Sequence, residues 1–485
     1  MSKSVLVTGG SGILGKYLVR RLLKSGAQVT ILCRNPRPEL FPEKIEQSTI
    51  HWLQGDVAAP GLGLASEVWN DLAGKTDTIF HLAARTDFKG SSLADYQGIN
   101  IDGVANIHAL ATAAASPLHH VSTAFVCGDY QGIFCEEMLD QGQKFRNFYE
   151  QSKFLGEVFL RKKQQSNASI PITIYRPSII LERNPTSDSG GNFGPFTFLD
   201  AIFRLLLAAR KRQQNPEIIR VQGNQNSAMP FVFDDKVAET LFTLAENPAS
   251  HGKTFHLTTR TSFANKEIET LFNQAFGKKV VCWATETEIK NTPLRPTEEL
   301  LARRTRVYAD YLDLSLDFAR QRLDKTLGRN ALPDLSLNEV LDAFSRFLAC
   351  KKESYTPAPV HSLATDNEIT AYFTSYLPSF FDRPMLKNLV SLNALFWLKI
   401  QDVGTWSIRI GEGCLKAVSK GTNGSFGYTV APKTFLQVVR GQRSPQEGFF
   451  RGQIAISGNT KEGLRTATAL EEFFSKYPYQ KGHTP

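Results

Sequence analysis

Residues 3–15, Lys-Ser-Val-Leu-Val-Thr-Gly-Gly-Ser-Gly-Ile-Leu-Gly, decide the fold of the first part of the chain. The apolar run at residues 5–7 predicts a short buried strand, and the glycines after it have the spacing of a nucleotide-binding loop. Helical spacing follows at residues 16–23, with Leu18, Leu22 and Leu23 on one face. The order strand, glycine loop, helix, strand is the context that a dinucleotide-binding loop requires.

Residues 1–180 alternate predicted strands with predicted helices. The strands are expected at 5–8, 29–33, 50–54, 78–81, 119–126 and 172–176, with helices between them that include 101–115 and 149–162. This alternation predicts an α/β fold with a Rossmann-like, doubly wound parallel sheet. Ligands bind at the carboxyl ends of such strands, where we expect four side chains to converge. They are Thr8, His81, Thr123 and Arg176.

The rest of the chain divides into three predicted parts. The first domain is expected to span residues 1–350, and residues 181–350 form its small substrate-binding subdomain. Helices are expected there at 300–322 and 337–347, and the chain returns to the nucleotide-binding part at 231–238. An apolar helix at 198–209 either lines an acyl pocket or belongs to the core. Residues 351–366, polar and proline-bearing, predict a linker. Residues 367–485 predict a separate α+β domain, whose alternating Trp406, Ile408 and Ile410 indicate a half-buried antiparallel sheet.

Composition narrows the class of protein. The chain has 485 residues, a formal net charge of +9 and six cysteines without a C-x-x-C pair. We therefore expect reduced thiols, no zinc or other metal site, and a cytoplasmic location. No nucleic-acid-binding motif accompanies the positive charge, and no apolar run has the length of a membrane span.

Tyr149 and Lys153 are the candidate catalytic pair. At positions i and i+4 of a helix they lie on the same face. A neighbouring ammonium favours the phenolate, so we expect Lys153 to lower the pKa of Tyr149 towards working pH. A dinucleotide loop combined with such an acid indicates hydride transfer to a carbonyl group.

The first 180 residues resemble the extended short-chain dehydrogenases/reductases, and most closely their thioester reductase and fatty acyl reductase (male sterility) branch. Six segments carry the resemblance: 8–15, 81–84, 100–103, 121–126, 145–153 and 175–178. The resemblance implies that Thr123 binds the substrate carbonyl and that Tyr149 donates to the developing oxyanion. It also implies that Lys153 holds the nicotinamide ribose.

The cofactor is expected to be NADPH. The second strand ends at Arg34, and an arginine there suits a 2′-phosphate, whereas an acidic residue would select NAD. By the same resemblance, Asp56 and Val57 contact the adenine. The complete predicted cofactor set is Thr8, Gly9, Gly12, Ile13, Leu14, Gly15, Arg34, Asp56, Val57, Ala83, Ala84, Asn100, Lys153 and Pro177.

Residues 367–485 resemble the sterol carrier protein type two fold. The segments 406–413, 435–441 and 449–454 carry this resemblance, which implies an apolar tunnel for lipids or acyl chains. A domain kept for dimerisation or stability is the alternative.

Two enzymatic functions share these features. The first is an NADPH-dependent reductase of an acyl thioester, which releases an aldehyde or, after a second hydride transfer, an alcohol. A separate acyl carrier protein or CoA would deliver the chain, and the C-terminal domain would hold it. The second is an NADP-dependent dehydrogenase or ketoreductase of a steroid-like or isoprenoid-like molecule. A non-catalytic nucleotide sensor or lipid carrier is disfavoured by the Thr123, Tyr149 and Lys153 set. The length of the substrate's acyl chain and the oligomeric state of the protein stay open.

Overall fold

The chain is described by a computed structural model. It covers residues 2–41, 50–166, 169–186, 194–211, 217–355, 368–381, 392–401 and 403–480. The chain divides into two compact units, residues 1–354 and 355–485, and each is described by itself.

A seven-stranded parallel sheet forms the centre of the first unit. Its order is β12-β7-β5-β4-β1-β2-β3, so the first strand lies in the middle and the chain winds outwards in both directions. This is the predicted doubly wound sheet. The strands are β1 Ser4–Thr8, β2 Gln28–Cys33, β3 Ile50–Gln54, β4 Thr78–His81, β5 Leu118–Val121, β7 Ile172–Pro177 and β12 Thr254–Leu257.

Helices cover both faces of this sheet. One face packs on α1 and α7, where Leu18, Leu22 and Leu241 are buried against Val5 and Ile31. The other face packs mainly on α2, α4 and α5. Apolar burial on both faces explains why these strands are nearly continuous apolar runs. The helices are α1 Ile13–Lys24, α2 Ser66–Lys75, α3 Ala94–Tyr96, α4 Gly103–Ala113, α5 Phe148–Ser166, α6 Pro195–Lys211 and α7 Asp234–Ala245.

Short strand pairs and helices build the substrate side of the first unit. The pairs are β6 Ile133–Phe134 with β15 Asp317–Phe318, β8 Ile179–Leu181 with β11 Phe231–Phe233, β9 Ile219–Gln222 with β14 Val281–Ala284, and β10 Ala228–Met229 with β13 Phe263–Ala264. The helices are α8 Asn265–Phe276, α9 Glu286–Asn291, α10 Pro296–Thr305, α11 Gln321–Leu327 and α12 Leu337–Tyr355. After β11 the chain returns to α1 through α7, as expected for residues 231–238.

Three sequence predictions in this unit are wrong in their boundaries. The strand expected at 119–126 ends at Val121, and a 3₁₀ turn, Ala124–Cys127, follows because the Thr123 hydroxyl accepts from the Phe125 amide at 3.3 Å. The helix expected at 300–322 is broken into α10, a 3₁₀ turn at Arg306–Tyr311 and the edge strand β15. The linker expected from 351 begins no earlier than 356, because α12 continues to Tyr355; residues 356–366 lie outside the described part of the chain.

The second unit is an α+β fold with its own core. A five-stranded sheet of order β18-β17-β16-β19-β20 packs against three helices, with Phe396, Trp406 and Phe435 among the buried side chains. The sheet is mixed and not antiparallel throughout, because β16 and β19 run parallel. The elements are β16 Ala394–Ile400, β17 Gly404–Gly411, β18 Cys414–Lys420, β19 Phe426–Val430, β20 Ile454–Gly458, α13 Pro432–Val439, α14 Pro445–Phe450 and α15 Thr460–Lys476.

Among the described residues, no helix combines the length and the apolar character needed to cross a lipid bilayer.

Candidate active site

The glycine-rich loop joins β1 to α1 with very close backbone approaches. Gly9 has φ +73°, and a Cβ there would lie 2.6 Å from the Ala83 amide nitrogen. A Cβ on Gly15 would lie 2.1 Å from the Gly9 carbonyl oxygen. These contacts let the loop turn tightly and leave the first amides of α1 directed outwards, where they can bind a phosphate. The loop therefore fits a dinucleotide.

One cavity of about 700 Å³ brings most of the predicted site residues together. It begins at the glycine loop, crosses the carboxyl ends of β1, β4 and β5, and extends into the substrate side of the unit. Its lining includes Gly9, Gly12, Ile13, Leu14, Gly15, Arg34, Asp56, Val57, Ala83, Ala84, Thr123, Tyr149, Lys153 and Pro177.

Two residues of the predicted cofactor set lie outside this lining. Thr8 is fully buried below the loop, where its hydroxyl is 2.7 Å from His81 Nδ1 and accepts from the Ala83 amide. The Asn100 amide donates to the Arg85 carbonyl and to Ser152 Oγ, and its oxygen accepts from the Arg85 amide. Both side chains hold the backbone around the cavity.

Arg176 and His81 also depart from the prediction that they converge on the ligand. Arg176 is fully buried, where it donates to Glu157 at 2.5 and 3.0 Å and lies 3.1 Å from His256 Nε2. An arginine in the strand interior needs a buried anion, and Glu157 on α5 provides it. Of the four side chains expected at the strand ends, only Thr123 lines the cavity.

Thr123, Tyr149 and Lys153 meet where the two halves of the cavity join. Thr123 and Tyr149 line the same part of the cavity. Lys153 Nζ donates to the Val121 carbonyl at 2.7 Å, which anchors the amine at the end of β5. Tyr149 stays partly exposed to the cavity. A substrate carbonyl in this place can therefore meet two hydroxyl groups at once.

The expected tuning of Tyr149 by Lys153 is wrong for this arrangement. Burial raises the pKa of Tyr149, and the neighbouring Thr123 side chain opposes that rise. Burial lowers the pKa of Lys153 to about 8, and the Glu157 carboxylate opposes that change. A sequence pattern cannot weigh loss of solvation against charge, because solvation depends on the surrounding atoms.

Sequence reasoning missed most of the substrate half of the cavity. Phe88, Tyr308 and Tyr311 line it near Tyr149, and Phe263, Ile268, Phe272 and Trp283 line its far end. These residues come from short elements without a motif, so only their position in the fold reveals them. The apolar helix α6 serves both roles left open for it, since Phe198 lines the cavity while Phe196 packs on Phe344 and Phe347 in the core.

The second unit contains a separate apolar cavity of about 50 Å³. Aromatic and aliphatic side chains from the sheet, α13, α14 and α15 line it, among them Phe396, Phe435, Phe449 and Phe474. Its volume is far below the several hundred Å³ of a typical ligand pocket. A long chain can enter this cavity only if these side chains move apart.

The first unit has the features of a short-chain dehydrogenase/reductase. It combines a doubly wound sheet, a glycine loop after the first strand and a Thr-Tyr-Lys set at one cavity. Residues 7–241 match the model of the male sterility protein family, and residues 380–471 match that of the SCP-2 sterol transfer family. Over these residues the chain belongs to those two families, so its first unit is an NAD(P)-binding domain of the reductase and dehydrogenase type.

Known relatives are large biosynthetic proteins. The chain is 27% identical over 257 residues to the polyketide synthase-nonribosomal peptide synthetase ffsA of Aspergillus flavipes, which covers 51% of this chain and 6% of that protein. It is 31% identical over 179 residues to the hybrid synthetase pvhA of Talaromyces variabilis, which covers 36% of this chain and 4% of that protein. The nonribosomal peptide synthetase asaC of Aspergillus flavus is 23% identical over 367 residues, 68% of this chain and 34% of its own. The chain thus spans a minor part of each.

Solved structures share the fold of the first unit. The terminal R domain from the myxalamid biosynthetic pathway superposes with a TM-score of 0.59 at 20% identity, covering 73% of this chain and 91% of its own. MoeE5, solved with UDP-glucose and NAD, gives a TM-score of 0.51 at 18% identity, covering 73% of this chain and 100% of its own.

Proposed function

We propose that this protein is an NADPH-dependent reductase that converts an acyl thioester to an aldehyde and a free thiol. The division of the cavity into two halves carries the proposal. Its charged lining residues, Arg34, Arg37, Asp56 and Lys153, all belong to the nucleotide-binding side. The lining contributed by described residues between 194 and 312 is uncharged and largely aromatic or aliphatic.

The side-chain N–H donors that described residues between 194 and 312 place in the substrate half are already paired within the protein. The Asn265 amide donates to the Asn224 and Leu312 carbonyls at 2.8 and 2.7 Å, and the Trp283 indole donates to the Asn265 carbonyl. This half therefore offers an apolar surface, which suits an acyl chain. A nucleoside diphosphate sugar, such as MoeE5 holds, would need cations there to bind its phosphates.

The proposed reaction needs one hydride and one proton. NADPH, when bound along the loop and β2, supplies the hydride to the thioester carbonyl carbon. Tyr149 donates its proton to the carbonyl oxygen, Thr123 holds that oxygen, and Lys153 holds the nicotinamide ribose. The resulting hemithioacetal loses its hydroxyl proton as the carbon–sulfur bond breaks, which leaves the aldehyde and a thiolate that takes up a proton. Preorganised donors at the oxyanion account for much of the rate in such reactions.

Two arginines support the choice of NADPH. Arg34 and Arg37 both line the cavity beyond the end of β2, and no carboxylate from residues 33–37 competes for that position. A guanidinium can bind a 2′-phosphate through paired charge-assisted hydrogen bonds.

The relatives support a carrier-bound substrate. Assembly-line synthetases hold their intermediates as thioesters, so a chain related to part of them suits a thioester that a carrier protein or CoA presents. In this proposal the second unit, roughly residues 367–485, holds the apolar chain, and residues 1–350 perform the chemistry.

The test is a panel of acyl-CoA and acyl-pantetheine thioesters, compared with ketones of matching carbon skeleton. Oxidation of NADPH, release of free thiol and the mass of the trapped carbonyl product are followed together. We expect one aldehyde and one thiol for each NADPH consumed. Reduction of ketones without thiol release would instead establish the ketoreductase alternative, and an alcohol formed from two NADPH would extend the product.

A further inference from the structure

A second tyrosine in the cavity, Tyr311, is bonded to the beginning of the helix that carries Tyr149. Tyr311 ends the 3₁₀ turn Arg306–Tyr311 on the substrate side of the unit. Its hydroxyl donates to Glu150 Oε1 at 2.5 Å and accepts from Asn147 Nδ2 at 2.7 Å. These two partners flank Tyr149 in the sequence. The hydroxyl therefore connects the substrate side directly to the first turn of α5.

Both partners of Tyr311 are themselves fixed. Asn147 Oδ1 caps α5 by accepting from the Glu150 amide at 3.0 Å. The Glu150 carboxylate is completely buried and accepts from the Arg146 amide and guanidinium at 3.0 and 3.1 Å. A buried carboxylate keeps its place through its donors, because losing one leaves an unsatisfied charge. Tyr311 is one of the few donors that Glu150 has.

Aromatic contacts provide a second connection. The Phe88 ring stacks on Tyr311 with centroids 5.7 Å apart and contacts the Tyr149 ring at 5.4 Å. Phe125, two residues after Thr123, meets Tyr311 edge-on at 5.5 Å. Tyr311 thus contacts one ring that touches Tyr149 and another that follows Thr123 closely in the chain.

We propose that Tyr311 is a positioning residue for Tyr149: it fixes the start of α5 and, through Phe88, the direction of the phenol. This rests on the proposed function, in which Tyr149 is the proton donor. A general acid must lie within hydrogen-bond reach of the oxygen that it protonates. A displacement of about 1 Å can cost roughly 100-fold in rate.

The first experiment removes only the hydroxyl. Tyr311→Phe keeps the ring and its stacking on Phe88, so we expect kcat to fall by about 10- to 100-fold. The primary isotope effect with deuterated NADPH should rise as hydride transfer becomes rate-limiting, while the NADPH Kd stays within about twofold. Tyr376→Phe is the matched control. It removes a phenol hydrogen bond, 3.0 Å to the Tyr477 carbonyl, in the second unit, and should leave kcat unchanged.

The decisive experiment repeats the substitution in the Tyr149→Phe background, with single-turnover rates. If Tyr311 acts through Tyr149, its hydroxyl has nothing left to position, and the further loss should be under twofold. An equal loss in both backgrounds, or no loss in the otherwise unchanged enzyme, would overturn the proposal.

If Tyr311→Phe does not fold, a second variant tests the same proposal. Asn147→Ser keeps a helix cap but removes the amide donor to Tyr311, and it should lower kcat in the same background-dependent way. A failure of the proposed function would be distinguishable from a failure of the positioning role. If the enzyme reduces only ketones, the thioester assignment is lost and the same comparison is made with a ketone. If Tyr149→Phe stays active, both the donor and its positioning residue are lost.

Discussion

At the scale of single residues, burial decides more of the chemistry than sequence spacing does. Tyr149 and Lys153 have the spacing of a catalytic pair, yet burial raises the pKa of the phenol and lowers that of the amine. Both shifts favour the uncharged form of the group, because burial removes the water that would solvate a charge. Two substitutions and a pH titration test the contributions of Tyr149, Arg34 and Lys153.

Tyr149→Phe removes the proton donor and keeps the ring volume. Loss of general-acid catalysis alone should lower kcat by about 10²- to 10⁴-fold. The NADPH Kd should change little, since the phenol is not among the cofactor's charged contacts. Steady-state kinetics and a cofactor titration measure both, and retention of more than about a tenth of the activity would remove Tyr149 from its role.

Arg34→Ala tests the choice of cofactor. If Arg34 pairs with the 2′-phosphate, NADPH binding should weaken. Because Arg34 is exposed, the loss should be about 1 kcal/mol, below the roughly 2–5 kcal/mol of a buried charge pair. Binding of NADH should be almost unaffected. An equal loss for both nucleotides would show that Arg34 supports the loop and does not read the phosphate.

The pH dependence of kcat/KM should reflect the protonation of Lys153. Its pKa is lowered to about 8, so the amine loses its charge as pH rises through that value. The cation that holds the nicotinamide ribose is then lost, and kcat/KM for NADPH should fall on the alkaline side. In Lys153→Arg the side chain stays charged, so any remaining activity should lack this alkaline limb. A profile that stays flat to pH 10 would contradict the assignment.

At the scale of elements, α5 organises the site because neighbouring side chains along one side of it reach three different partners. Tyr149 and Lys153 reach the cavity, Glu150 meets Tyr311, and Glu157 pairs with Arg176 from β7. The Ser122 hydroxyl also donates to Glu157 at 3.1 Å, next to Thr123. The helix is therefore tied to two strand ends and to the substrate side.

Glu157→Gln should be strongly destabilising. Burial opposes ionisation of this carboxyl, but the Arg176 guanidinium outweighs it and lowers the pKa of Glu157. Removing the charge leaves Arg176 buried without its anion, at a cost of about 3–5 kcal/mol in the free energy of unfolding. Denaturant titration measures it. Glu137→Gln is the control, since Glu137 is 65% exposed beside Arg322 and should cost under about 1 kcal/mol. Similar losses in both variants would refute the buried-pair argument.

At the scale of the whole molecule, two units with separate cores share one chain. The first has a cavity of about 700 Å³, and the apolar cavity among the described residues of the second is about 50 Å³. Holding a lipid in that second cavity therefore requires its side chains to move apart, while a function in assembly does not.

A chain that ends at Tyr355 tests the second unit. It should keep the kcat of the full chain on short, soluble thioesters, because the cavity lining lies within the first unit. On long chains its KM should rise, by up to threefold or fourfold for each methylene that the second unit buries, from about 0.8 kcal/mol per group. Sedimentation of both proteins is the control. Equal losses on short and long substrates, together with loss of a dimer, would make the second unit an assembly module.

The sequence alone determined the order of strands and helices in the first 180 residues, because a buried parallel strand and its covering helix leave strong apolar patterns. It also determined the glycine loop and the positions of Thr123, Tyr149 and Lys153, since close backbone approach and fixed spacing restrict the residue types allowed. It could not place Asn100 or Thr8, whose hydrogen bonds turn them away from the cavity.

Only the tertiary structure decided the rest of the site. The aromatic wall around Phe88 and Tyr311 comes from segments far apart in the chain. The helix expected at 300–322 ends at Thr305, before the turn that brings Tyr311 to Glu150. The pKa values of Tyr149 and Lys153, the buried role of Arg176 and the parallel pairing of β16 with β19 likewise depend on neighbours that folding brings together. Local patterns record which face of an element is apolar; what that face and its polar side chains meet is fixed only when the elements pack.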